Sequence, residues 1–146
     1  ATVLFQNCTI KSLSNSYVTA AATRKGQAFG FVLQDCNLIA DTAAKKVYLG
    51  RPWRPYAKTV YINCNLGAHI VLLGWDPWKG DAMFPNKEKT AYYAEYGSKG
   101  LGATEKAVGR VSWSIQLTNK ELKLYTINNI LGGTDHWNPL AQLSSN

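Results

Sequence analysis

Three eight-residue segments of the chain carry one pattern of apolar and polar positions. Val3-Leu-Phe-Gln-Asn-Cys-Thr-Ile10, Phe31-Val-Leu-Gln-Asp-Cys-Asn-Leu38 and Thr59-Val-Tyr-Ile-Asn-Cys-Asn-Leu66 place a cysteine in the same slot, at Cys8, Cys36 and Cys64, each 28 residues after the one before. Side chains alternate across a strand, so each segment divides into two faces. Leu4-Gln6-Cys8-Ile10, Val32-Gln34-Cys36-Leu38 and Val60-Ile62-Cys64-Leu66 make a mostly apolar face, expected to point inward. Val3-Phe5-Asn7-Thr9, Phe31-Leu33-Asp35-Asn37 and Thr59-Tyr61-Asn63-Asn65 turn polar downstream and are expected to point outward.

Other strand-like runs lie between and after these: Tyr17–Ala20, Val47–Gly50, Thr90–Tyr96 and Arg110–Trp113. A 28-residue period of short strands without helical periodicity predicts coils of a parallel β-helix, stacked at the strand spacing of about 4.8 Å. A β-sandwich would account for the strands but not for the equal cysteine spacing. In a β-helix the three thiols form an internal stack and behave as small hydrophobes, with a bridge between two of them left open. Asn7-Cys8-Thr9 matches a glycosylation sequon, although a position inside a strand argues against its use. Beyond Trp113 the pattern changes. Thr118-Asn-Lys-Glu121 reads as a capping box, Leu122, Tyr125, Ile130 and Leu131 follow at near-helical spacing, and Gly132-Gly133 supplies a stop. This predicts a short C-terminal helix that packs against or caps the solenoid.

Length and composition fit a single unit over 1–146, with coils over 1–115 and the helix and tail over 116–146. The chain has 146 residues, 46% of them hydrophobic and 17% charged, which is ordinary for a globular domain. Its longest apolar stretch, Ile70–Leu73, is far short of the roughly 20 residues of a membrane-spanning helix, so no membrane partner is expected. Ala1 leads straight into a strand with no initiator Met or leader, which reads as a mature product or a piece of something longer. The net charge of +7 is dispersed along the chain and favours a polyanionic partner, nucleic acid or acidic polysaccharide. Zinc-finger spacing, helix-turn-helix pattern and basic helix are all missing, so nucleic acid is not expected.

Few catalytic signatures are present. There is no G-x-S-x-G elbow, and Gly100-Leu-Gly102-Ala-Thr-Glu105 fails the dinucleotide fingerprint at its last position. His69 and His136 lie far apart without metal-ligand spacing, so no metal site is expected. Leu49-Gly-Arg-Pro-Trp-Arg-Pro55 stands out. Its prolines hold the segment extended, and a guanidinium and an indole are presented together on an outward lip. A rigid turn with a surface salt bridge is the plain alternative.

At Leu49-Gly50-Arg51-Pro52-Trp53 the chain resembles the pectin methylesterases, or pectinesterases. The resemblance extends to Tyr17-Val-Thr-Ala20 with Arg24, Gly74-Trp75-Asp76-Pro77-Trp78, Tyr92-Tyr-Ala-Glu-Tyr96 with Gly100-Leu-Gly-Ala103, and Arg110-Val-Ser-Trp113, in the family's order over roughly residues 1–140. Leu101 departs from a usual proline. The resemblance implies a right-handed parallel β-helix and hydrolysis of the methyl esters of homogalacturonan to pectate and methanol, without cofactor, by a secreted or periplasmic enzyme.

The resemblance also implies two aspartates, one a nucleophile and one a general acid and then base, with glutamines around the oxyanion. The motifs carrying them lie upstream of the segment resembling Ala1–Cys8. The chain is therefore similar to the C-terminal half of the catalytic domain, is expected to be inactive alone, and has the upstream half as an expected partner beside pectin. Gln34-Asp35 imitates part of a missing motif, but Asp35 occupies the slot of Asn7 and Asn63 and is read as part of an outward polar row. Glu95 and Asp76 are read as structural. By resemblance Arg51 pairs with the nucleophilic aspartate, which an adjacent guanidinium would keep ionised and oriented. Trp53 and Trp78 resemble positions lining a sugar-binding cleft, with core packing as the alternative. Rival functions are a pectate lyase, which would need calcium ligands and a basic proton abstractor, although the chain shows no acidic cluster, and a pectin-binding solenoid without turnover.

Overall fold

A computed structural model describes residues 1–104 and 108–141. Glu105 and the end of the tail, 142–146, lie outside the described residues. The chain is a parallel β-helix. One sheet stacks β1 (Val3–Gln6), β4 (Phe31–Gln34), β7 (Lys58–Ile62), β9 (Tyr92–Tyr96) and β10 (Ile115–Gln116) in that order. A second stacks β2 (Thr9–Ser12), β5 (Asn37–Ala40) and β8 (Asn65–Leu66), and a third pairs β3 (Ser16–Ala21) with β6 (Val47–Pro52). Every pairing is parallel, with Val3 beside Phe31 beside Thr59 and Thr9 beside Asn37 beside Asn65. The 28-residue period thus holds from β1 to β4 to β7 and from β2 to β5 to β8. The third sheet is stepped differently, Ser16 pairing with Val47, and is prolonged only by single bridges from Val47 to Ile70 and from Gly50 to Trp75.

Each cysteine segment bends in its middle instead of forming one strand. Asn7, Asp35 and Asn63 adopt φ of 54°, 53° and 52°, and Gly97 takes the same corner one coil later at φ 62°. Asn, Asp and Gly are the residues that enter the left-handed region at least cost. A Cβ on Gly97 would lie 2.3 Å from Asn63 Oδ1, so the fourth corner has no room for a side chain. Asn7 of the sequon is therefore at an exposed corner between β1 and β2, not within a strand.

The bend resets the alternation, and this corrects the predicted faces. Leu33, Tyr61 and Tyr93 join Cys36, Cys64, Leu38 and Leu66 in the interior. Val32, Val60, Ile62 and Ala94 instead form a second cluster on the other side of the first sheet, covered by Leu117, Leu122, Tyr125, Ile130 and Leu131. The cysteines are inside, as expected. All three are free, Cys36 and Cys64 are buried, and burial pushes the Cys64 thiol up to about 12. Asn65 Nδ2 donates to Asn37 Oδ1 at 2.8 Å, linking adjacent coils on the outside.

Two further expectations change. Arg110–Trp113 forms no strand. Arg110 instead reaches into the last coil, where its Nε and Nη2 donate to the Glu95 carboxylate at 2.8 and 3.1 Å and its remaining donors meet the carbonyls of Val71, Leu72 and Gly102. The C-terminal helix is two short ones, α1 (Asn119–Leu122) and α2 (Ile127–Leu131). Thr118 and Glu121 close the predicted capping box, but Thr126 is extended, at φ −87° and ψ 154°, and caps a new start by accepting from the Asn129 N–H. A second capping residue so close to the first divides the segment. Both helices pack along the flank of the first sheet, where Gln34 Nε2 donates to Tyr125 O at 2.8 Å.

Candidate functional site

Strand β6 is pinned from within before it presents anything outward. The carbonyl of Leu49 accepts from Thr19 Oγ1 at 2.9 Å and from Tyr61 Oη at 2.8 Å. At Gly50 a Cβ would lie 2.2 Å from Thr19 Oγ1 and 3.3 Å from Trp75 Cζ3, so only glycine lets β6 close on β3 and Trp75. Pro52, buried, ends the strand. Arg51 and Trp53 are thus carried at the end of a strand whose position is fixed by buried hydroxyls.

Arg51 lies between two aromatic rings. Its Cζ is 3.9 Å from the centroid of Tyr17 and 3.6 Å from that of Trp78. Tyr17 stacks in turn on Tyr48, at 5.4 Å and an interplanar angle of 17°, because the two are register partners on β3 and β6. Arg51 Nε is buried without a hydrogen bond. Among the described residues no carboxylate forms an ion pair with Arg51. A planar cation held by two rings and left with an unmatched donor is suited to receiving a carboxylate.

Trp78 is held in an uncommon conformation, with φ 53°. Its N–H donates to Asp76 Oδ1 at 2.6 Å, and Tyr17 Oη makes a long contact to Asp76 Oδ2 at 3.4 Å. Burial, followed by the charge of Asp76, raises the Tyr17 phenol above its ordinary value, which keeps it a neutral donor. Trp53, 45% exposed, meets Trp78 edge to face at 5.4 Å. Arg54 lies over Phe84 at 4.8 Å and over Trp53 at 5.5 Å. Trp53, Arg54, Trp78, Asp81 and Met83 line a hollow of about 400 Å³. Lys87 closes the cluster from below, its Nζ 4.5 Å from the Trp78 ring and 2.6 Å from Asp81 Oδ2.

The three residues singled out by sequence, Arg51, Trp53 and Trp78, are therefore neighbours. Asp35 is not with them: it stands exposed at the corner between the first two sheets, while Arg51 is on the third. Glu95 is buried against Arg110 inside the last coil. Tyr17, Asp81 and Lys87 went unrecognised as members of the cluster. The register of Tyr17 with Tyr48 follows the 31-residue step of the third sheet, which the cysteine repeat does not give, and nothing in the spacing between Trp78 and Lys87 brings that lysine back. A second hollow, about 670 Å³, runs between the first sheet and α2 and is lined by Phe29, Lys58, Tyr92 and Tyr125. Lys58 Nζ there is taken up by the carbonyls of Gln27 and Ala28. Among the described residues no group of three His, Cys, Asp or Glu side chains is placed to hold a metal ion, and no helix is long and apolar enough to cross a membrane.

A family profile described as Pectinesterase matches residues 1–134. The chain is 38% identical over 126 residues to "Probable pectinesterase/pectinesterase inhibitor 6" of Arabidopsis thaliana, a match that covers 84% of this chain and 21% of that protein. Its backbone is similar to that of the pectin methylesterase from carrot, with a TM-score of 0.78 and 30% identity over 92% of this chain and 45% of the other. A pectin methylesterase solved in complex with a hexasaccharide aligns with a TM-score of 0.73 and 28% identity, covering 93% of this chain and 46% of that one. The chain thus spans about a fifth of that curated relative and under half of either solved enzyme.

Proposed function

Because this chain belongs to the pectinesterase family, we propose that it supplies the arginine-bearing wall of a pectin methylesterase site, which hydrolyses methyl esters of homogalacturonan to pectate and methanol. The observation that carries this reading is the Arg51 guanidinium, stacked between Tyr17 and Trp78 with Nε unmatched. In the reaction proposed, an aspartate attacks the ester carbonyl, a second acid protonates the departing methoxide, and water then hydrolyses the acyl-enzyme with that second group acting as base. Arg51 keeps the nucleophile ionised and aimed. Trp53 and Trp78 offer apolar faces to pyranose rings. Both aspartates are assigned to residues outside this chain, a proposal supported by the lack of an ion-pair partner for Arg51 among the described residues.

The substrate assignment is supported by the net charge of +7 and by the exposed Arg54 beside the hollow. A methyl-esterified polymer of the plant wall places the enzyme's work outside the cytoplasm. The test is methanol release from methylated pectin. Residues 1–146 alone are expected to release none above buffer, and a protein that adds the segment bearing both aspartates is expected to release it. Methanol release by residues 1–146 alone would place the nucleophile within the chain, with Asp35 the first residue to replace.

A further inference from the structure

Lys87 is 1% exposed, an expensive place for an ammonium group. Its carbonyl accepts from the backbone N–H groups of Thr90 and Ala91 and from Thr90 Oγ1, and that hydroxyl accepts from the N–H of Tyr56, so the residue is anchored to the segment that follows β6. Its Nζ meets the Asp81 carboxylate at 2.6 Å and the Trp78 ring at 4.5 Å. Asp81 is itself held, accepting on Oδ1 from the N–H groups of Met83 and Phe84. Apolar side chains of similar volume often fill such a place with no loss of stability, so filling space does not explain a buried pair of this kind. What the pair provides is direction. An ammonium attracts the face of an indole rather than its edge.

The geometry points to Lys87 as a positioning residue that acts on Arg51 through Trp78. The Trp78 backbone is fixed from one side by Asp76, and its ring is fixed by Lys87. The same ring lies 3.6 Å from Arg51 Cζ, so the place of the guanidinium follows the place of the indole. Two cations sharing one ring would repel each other. Asp81 neutralises Lys87, so the cleft presents the charges of Arg51 and Arg54. The placement of Arg51 stands by itself, while its effect on saccharide binding rests on the cleft proposed above.

The experiment compares residues 1–146 with Lys87→Met, Lys87→Arg and the double variant Asp81→Asn/Lys87→Met. The Arg51 Nε–Hε resonance, displaced by the two rings in the parent, is followed by NMR, and affinity for a fully de-esterified galacturonate hexamer is followed by calorimetry. Lys87→Met is expected to stay folded, to move the Arg51 resonance toward its random-coil position, and to weaken hexamer binding on the order of 5- to 30-fold, the span of one ring–cation contact. Lys87→Arg should restore both. If Lys87→Met does not fold, the double variant, which buries no unpaired charge, takes its place. An unmoved Arg51 resonance in a folded variant overturns the inference, and so does failure of both variants to fold, since the pair would then serve folding rather than placement. A parent chain that does not bind the hexamer overturns the proposed cleft instead, and the resonance alone then decides the role of Lys87.

Discussion

Replacing Arg51 by Lys keeps the charge but removes the flat guanidinium that fills the space between Tyr17 and Trp78. In a protein bearing both aspartates, Arg51→Lys is expected to lower kcat by about tenfold or more with the fold intact, because a point charge cannot hold a carboxylate in two contacts. Steady-state methanol release from a folded variant checks this, and an unchanged kcat would remove Arg51 from the site. Trp53 tests the cleft differently. Its ring is 45% exposed and touches Trp78 by an edge, so Trp53→Ala should cost well under the roughly 3–5 kcal/mol of a core tryptophan while weakening oligogalacturonate binding. Urea melts beside calorimetry separate the two, and a loss of core size would make Trp53 a packing residue. The motif Leu49–Pro55 made Arg51 and Trp53 legible in the sequence, since two rigid prolines and a required glycine leave a local signature. Lys87 left none: its partners are decided by how the segment after Trp78 folds back, a tertiary fact with no period.

At the scale of the element, the equal cysteine spacing reported the stacking of coils, but strict alternation misjudged which face of β1, β4 and β7 lies inside. The sign was present in the corner column of Asn7, Asp35, Asn63 and Gly97. Three short polar residues and a glycine at one repeat position mark a left-handed bend, and a bend advances the alternation by one. Asn63→Val is expected to destabilise the protein by about 1–2 kcal/mol, the cost of placing a branched residue in that conformation, whereas Asn63→Gly should be close to neutral. Equilibrium urea denaturation distinguishes them, and equal midpoints for the two variants would dismiss the corner as the cause. The division of the C-terminal segment was equally written in the chain, as Thr126 three residues before Asn129, but one continuous apolar spacing masked it. The sequence named the cap of α1 because a capping box is local.

At the scale of the molecule, Glu95 and Arg110 bind the last coil to the segments at Val71, Leu72 and Gly102. Glu95→Gln leaves the guanidinium buried without its counter-charge and is expected to cost about 3–5 kcal/mol, measured by denaturant unfolding. A negligible change would mean that the carbonyls suffice to hold Arg110. The neighbours Val111, Ser112 and Trp113 suit a strand, but five hydrogen bonds from the Arg110 guanidinium to a carboxylate and carbonyls outweigh that local preference. A last consequence follows from the register. From β1 to β4 to β7 each coil takes 28 residues, but Lys58 pairs with Tyr92, 34 residues on, and the extra length belongs to the segment that carries Trp78, Asp81 and Lys87. The molecule thus separates a metronome from an instrument. The beat is kept from β1 to β7, and the added length falls on the excursion beside Arg51, so the side chains around the guanidinium can be exchanged without altering the pairing of the three strands beneath.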